Sequence, residues 1–167
     1  KLTAKGLLIS RQGGGNYVVE SLGSTFSDPL LHLLESSTDA QRDLLEFRHT
    51  LEASCAYYAA VRATDVDRVR LREAFDALQD CYSRADEVSR AEEGAADANF
   101  HLAIAEASHN AVLLHTIRGL FDLLRRNVVT NIGGMYKQRT ETRDMLITQH
   151  RELYLAIIEG RADAASE

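Results

Sequence analysis

Asp97 and His101 stand four residues apart in the run "DANFHLAIAEASHN", a spacing that puts both on one side of an α-helix, one turn apart. A carboxylate oxygen and an imidazole nitrogen offered from one helix can hold a single cation, and zinc or another divalent first-row metal suits that donor set. A third ligand must come from elsewhere, and His150 in "TQHRELYLAII" is available. An Asp–His hydrogen bond beside an unrelated core histidine explains the same pattern, and the residues alone leave both readings open. Arg48, in "DLLEFRHTLEASC", is the second oddity. A guanidinium keeps its charge, so one that faces a core needs a carboxylate or phosphate partner. Glu52, one turn along, would serve as a structural ion pair. The functional alternative is that Arg48 reaches an internal cavity and grips the carboxylate of a small acid through charge-assisted hydrogen bonds. A metal and an arginine facing one cavity would form a receptor for a hydroxy- or keto-acid.

Which polar residues face inward follows from turning each segment by 100° per residue. In the 88–108 segment the apolar arc is Phe100, Ile104 and Ala107, with Asp97, His101 and Ser108 on its flank, within roughly 60° of Ile104. Asn99 and Glu106 point the opposite way. In 141–159 the arc is Leu146, Ile147, Leu153, Tyr154 and Ile157, and His150 falls in its middle. In 40–62 the arc is Leu44, Phe47, Leu51, Cys55 and Tyr58, with Arg48 inside it and Glu52 at its edge. His32, His49, His109 and His115 lie far from the centres of their stripes and should see water. Of the 6 histidines, only His101 and His150 should face a core.

The elements that must position these groups are helices. The chain has 167 residues, 45% of them apolar, enough for one sizeable core. A single proline and abundant Ala, Leu, Glu and Arg favour helix. We read helices near 29–36, 40–62, 65–83, 88–108, 110–131 and 141–159, with a further one starting at about Asp163. Asp28 before Pro29, then Thr64 or Asp65, Asn110 and Asp163, are the expected caps, and Gly133-Gly134 and Gly160 mark breaks. Only "KLTAKGLLISRQGGGNYVV" has strand character: a helix tail stopped at Gly6, then "LLISR" and "NYVV" joined by a glycine-rich tip. A helix running into a basic hairpin is the back half of a winged helix; a stray hairpin is the plainer reading. The glycines do not make a phosphate loop, because no Gly-Lys-Ser/Thr follows. "ESLGSTFSDP" reads as a polar linker.

Net charge is −6, yet residues 1–19 carry +3 and the remainder −9, so the acidic body does not suggest nucleic-acid binding while the basic head does. Cys55 and Cys81 form no CxxC, which points to a reducing, cytoplasmic setting rather than a disulfide framework. No apolar run reaches membrane-spanning length and no leader pattern is present. The first residue is Lys, so a fragment is expected.

Two Glu-x-x-His pairs, Glu46/His49 and Glu106/His109, raise a rival from another class, the di-metal carboxylate oxidases of helical bundles. Both glutamates point away from their apolar stripes, which would leave such a centre in solvent. A metal hydrolase lacks its HExxH and an evident general base. No enzyme is expected.

The segments "KGLLISRQGGGNYV", "DLLEFRHTLEASCAYYAAVRAT", "DANFHLAIAEASHNAVLLHTIRGLFDLL" and "QHRELYLAIIEGRADAA" together resemble the FadR subgroup of the GntR family of bacterial transcription regulators. The resemblance is nearest to its lactate-responsive members, with pyruvate- and glycolate-responsive ones close behind. It implies an all-α antiparallel helical bundle (an FCD-type effector domain, residues 29–167, which also dimerises), a linker at 21–28 and a partial winged helix-turn-helix at 1–20. It implies a divalent metal, zinc first, on Asp97, His101 and His150, with a further histidine expected past Glu167. Arg48 matches the arginine that meets the effector's carboxylate, and Asn110 matches a recurring effector-site position, although a helix cap accounts for it equally well. The family further implies homodimers on palindromic operator DNA, with Lys1, Arg11, Gln12 and Gly14 as the DNA contacts retained here. The implied function is a repressor of lactate-utilisation genes, released or recruited by lactate, pyruvate or glycolate.

Overall fold

The computed structural model describes residues 8–11, 15–18, 32–34, 36–84, 88–128 and 141–167. Two short strands come first, β1 (Leu8–Arg11) and β2 (Gly15–Val18), paired antiparallel with Leu8 opposite Val18 and Arg11 opposite Gly15. This is the hairpin that the glycine-rich tip predicts. The helix tail before it, the linker, Asp28, Pro29 and the glycine break at 133–134 lie outside the described residues. The remaining elements are helices: α1 (Thr38–Arg62), α2 (Asp65–Ser83), α3 (Arg90–Ala107), α4 (Ala111–Val128), α5 (Glu141–Ile158) and α6 (Ala162–Ser166).

Local signals set where most of them begin. Ser37 caps α1 by accepting from the Ala40 amide at 3.2 Å. Thr64 with Asp67, and Ser89 with Glu92, form capping boxes at the starts of α2 and α3, each meeting two amides that no helical carbonyl can reach. The Asn110 side-chain oxygen accepts from the amides of Val112 and Leu113 at 3.1 and 3.2 Å, so it caps α4. The cap of α6 is Arg161 rather than the expected Asp163. Asp163 instead lies in the first turn of α6, where a carboxylate meets the positive end of the helix dipole. Gly160 breaks the chain between α5 and α6 with φ +71°, a left-handed conformation that glycine takes without strain.

α2 packs on α3 and α5, while α1 packs on α3, α4, α5 and α6. Their shared core contains Cys55, Leu71, Phe75, Leu78, Phe100, Ile104, Ile117 and Ile157, with small residues such as Ala56, Ala59, Ala105 and Ala107 between them. The alanines let α1 and α3 approach closely, which brings the longer side chains one turn away into contact. Phe75 stacks on Tyr154 with 4.7 Å between centroids, tying α2 to α5. A smaller cluster of Leu34, Leu44 and Leu120 joins the start of α1 to α4. Phe47 departs from expectation: it is 45% exposed, because it sits at the rim of the α1 stripe whose centre runs through Leu44, Leu51 and Cys55. Among the described residues, no helix is long and apolar enough to cross a membrane.

Candidate metal and anion site

Three helices converge on one spot. α3 supplies Asp97 and His101 from successive turns, α5 supplies His150, and α1 supplies Arg48 and Glu52. Asp97, His101 and His150 each offer one ligand atom, and the three atoms lie within 4.8 Å of one another. Asp97 Oδ1 is 3.1 Å from His150 Nε2 and 3.9 Å from His101 Nε2, and the two imidazole nitrogens are 3.3 Å apart. Two donors each about 2.05 Å from a tetrahedral ion stand about 3.3 Å apart, so these spacings fit one divalent cation.

The protonation pattern points the same way. His150 Nδ1 lies 2.7 Å from the Leu146 carbonyl oxygen. A carbonyl can only accept, so Nδ1 carries a hydrogen and Nε2 is the nitrogen that the ring turns to the cluster. That nitrogen faces a carboxylate oxygen of Asp97. At 3.1 Å the nitrogen and the carboxylate oxygen have either a proton or a cation between them. Burial works to raise Asp97, but the His150 contact and the neighbouring Arg48, His101 and His150 side chains overcome it and hold the carboxyl well below the usual range. Burial pushes His101 down, only partly offset by the negative charges of Glu52 and Asp97. An ionised carboxylate and a neutral imidazole are the states a metal requires.

Apolar rings wall the site. Phe100 meets His101 and His150 edge-on at 5.8 and 5.7 Å, and Phe121 lies 6.4 Å from His101. The Arg48 guanidinium carbon stands 5.6 Å from the Phe121 centroid, within cation–π range. Arg48 donates from Nε to Glu52 Oε1 at 2.7 Å, and its Nη2 reaches Asp97 Oδ2 at 3.5 Å. Asp97 therefore divides its two oxygens, one toward the imidazoles and one toward the guanidinium. The wheel readings for His101, His150, Arg48 and Glu52 agree with this placement. What they missed is the second face of Glu52, whose Oε2 lies 3.6 Å from His101 Nδ1. Burial, reinforced by the Glu52 charge, raises the neighbouring Cys55 thiol to about 11, so it stays protonated and is no thiolate ligand.

Other candidates fall elsewhere. The Glu-x-x-His pairs do not converge: Glu46 and His49 are exposed, Glu106 pairs with Arg118 at 2.8 Å, and His109 donates to Asp67 at 2.7 Å. That removes the geometry a di-metal oxidase needs. His32, His49 and His109 are exposed as expected, but His115 is half-buried. The His109–Asp67 contact was not anticipated, although the Thr64-x-x-Asp67 capping pattern marks one end of it. An open cleft of about 510 Å³ lined by His49, Ala53, Tyr57, Tyr58 and Ser166 lies on the face of α1 opposite Arg48. Lys1, Gln12 and Gly14 lie outside the described residues, and Arg11 ends β1 opposite Gly15.

Comparison with known proteins gives the family of the chain. Residues 43–167 match the FCD domain. The chain is 39% identical over 170 residues to the L-lactate dehydrogenase operon regulatory protein of Escherichia coli K12, covering 99% of this chain and 62% of that protein. It is 30% identical over 158 residues to the Glc operon transcriptional activator of the same organism, covering 95% of this chain and again 62% of the relative. It is also 32% identical over 165 residues to the HTH-type transcriptional regulator LutR of Bacillus subtilis strain 168, covering 98% of this chain and 73% of that protein. None of these relatives is named as an enzyme. The chain thus spans 62% of the length of the Escherichia coli relatives. In fold it is similar to Streptococcus agalactiae GntR, with a TM-score of 0.71 at 23% identity, covering 99% of this chain and 71% of that one. The chain belongs to the FCD-domain family of GntR-type proteins.

Proposed function

We propose that this chain is the effector-sensing part of a cytoplasmic DNA-binding transcription regulator, a repressor of lactate-utilisation genes, and that its helical bundle takes a divalent metal, zinc first, together with lactate. Pyruvate and glycolate are the alternative effectors. The observation that carries the reading is the meeting of Asp97, His101 and His150 from α3 and α5 with the Arg48 guanidinium from α1. Two relatives are named for an L-lactate dehydrogenase operon and for the Glc operon, which supports an acid of this size.

A divalent ion held by the three side chains would give a carboxylate or α-oxygen a Lewis-acid seat. The rest falls to the chain's own residues. Arg48 supplies charge-assisted hydrogen bonds to the effector's carboxylate, Glu52 fixes the guanidinium through Nε, and Phe100 and Phe121 keep water from the ring faces. Asn110 enters as the cap that fixes the start of α4, the helix carrying Phe121. A further histidine past Glu167 would complete the ligand set. In the assembled protein, residues 1–20 would complete a winged helix with Lys1, Arg11, Gln12 and Gly14 near operator DNA, residues 21–28 would link it to the bundle of 29–167, and two copies would read a palindrome. The effector changes operator affinity only if it binds the two domain arrangements unequally.

A thermal-shift panel of L-lactate, D-lactate, pyruvate and glycolate on zinc-loaded protein tests this directly. One acid should raise the melting temperature of loaded protein and leave chelated protein unmoved. Equal indifference to all four in the loaded state would defeat the proposal.

A further inference from the structure

Phe121, on α4, meets both halves of the site. Its ring centroid lies 6.4 Å from that of His101, and the Arg48 guanidinium carbon stands over its face, 5.6 Å from the centroid. The ring also packs, partly buried, against both apolar clusters, the large one that contains Phe100 and Ile104 and the small one of Leu34, Leu44 and Leu120. Close packing from two clusters holds the ring as a fixed plate. We propose that Phe121 is a positioning residue whose ring face sets the plane of the Arg48 guanidinium and so presents it to the acid; this rests on the metal-and-acid reading above.

An arginine side chain is long and flexible, and ordering it costs entropy at the moment of binding unless it is held beforehand. Glu52 holds the guanidinium at Nε over 2.7 Å, whereas Nη2 reaches Asp97 Oδ2 only at 3.5 Å, a long and weak contact. Contacts at the edge fix where a guanidinium points more firmly than how its plane is tilted. A ring beneath the face fixes the tilt. The five N–H groups all lie in the guanidinium plane, so a hydrogen-bonding neighbour spends a donor and a ring under the face spends none. The donors are kept for carboxylates, the protein's own and the acid's. The negative face of an aromatic ring attracts the cation, more strongly where water is sparse; Glu52 and His101 beside it are 19 and 11% exposed. A leucine would fill much of the same space without that face.

Fluorine on the ring drains its negative face while hardly changing its size. The test places phenylalanine carrying one, two or three ring fluorines at position 121 alone and titrates each zinc-loaded protein with L-lactate, D-lactate, pyruvate and glycolate by calorimetry. For every acid that binds the wild type, affinity should fall step by step along the series, by about three- to thirtyfold at its end. Phe121→Leu should lose as much as the trifluoro protein. Zinc content should stay at the wild-type level throughout, and cobalt in its place should give an unchanged visible spectrum, reporting intact donors. A trifluoro protein that binds the acid as the wild type does overturns the proposal, whatever Phe121→Leu does, because the ring would then only fill space. Zinc lost in step with the acid overturns it too, since Phe121 would then be a prop for His101. The fluorinated rings keep the native shape, so a misfolded Phe121→Leu does not shelter the proposal. Loaded wild type that binds none of the four acids overturns it together with the reading beneath it, whereas the preceding outcomes leave that reading standing.

Discussion

Asp97 with His150 and Asp67 with His109 are both carboxylate–imidazole contacts, at 3.1 and 2.7 Å. They differ in what surrounds the carboxylate. Asp67 Oδ2 receives protons from the Thr64 amide at 2.9 Å, the Thr64 hydroxyl at 2.5 Å and His109 Nε2 at 2.7 Å. Every partner is a donor, and nothing further is needed. The contact joins the α1–α2 corner to the end of α3, where His109 adopts a left-handed φ of +49°. Asp97 instead faces a ring whose other nitrogen has given its hydrogen to Leu146. Residue types alone do not tell the two contacts apart; what differs is how many donors already surround each carboxylate.

The comparison can be broken by mutation. The largest effect belongs to His101→Ala with His150→Ala: zinc content after dialysis, measured by mass spectrometry, should fall from near one per chain to near none, whereas His109→Ala should leave it unchanged. Equal loss in both proteins would erase the distinction. Chelating the metal from the wild type comes next. An ion present at about a hundred times its dissociation constant contributes about 2.7 kcal/mol, so differential scanning should show a drop of roughly 5–10 °C. Arg48→Ala should keep the metal and weaken the acid by about ten- to a hundredfold, read by calorimetry; full zinc loss there would make Arg48 a prop for Asp97 instead.

The smallest effects lie at the clip. Thr64→Ala should cost about 1 kcal/mol through the lost cap, seen as a lower urea midpoint at unchanged slope. Burial works to raise Asp67, but its Thr64 hydrogen bonds and His109 hold it below the ordinary carboxylate value. Its contribution to stability is therefore present above the unfolded value of about 3.9 and is lost as pH falls through the lower folded value. Asp67→Asn should flatten that part of the acid limb in a urea series between about pH 5 and 2.

Much of this was legible in the residues. The boundaries of α2 and α3 follow from Thr64-x-x-Asp67 and Ser89-x-x-Glu92, because caps act locally. The inward turn of Asp97, His101, His150 and Arg48 follows from periodicity, because a helix wheel fixes direction. A wheel does not fix depth or partner. Phe47 shares its flank with buried residues yet stays at the rim. Glu52 reaches His101, and Asp67 reaches His109, across stretches of chain that no local pattern spans; both meetings depend on how closely the alanines let α1, α2 and α3 approach. The sequence allows Asn110 either as a cap or at an effector position, and its oxygen accepts from the first turn of α4.

One uninterrupted rod of 25 residues carries both Arg48 and Glu52. Arg48 sits about 15 Å from its Thr38 end, at about 1.5 Å of rise per residue. A stiff rod passes a shift at its middle on to its end, so an acid that pulled on the guanidinium would swing that end as an oar blade follows its handle. Whatever chain is joined there would inherit the displacement without any relay of side chains.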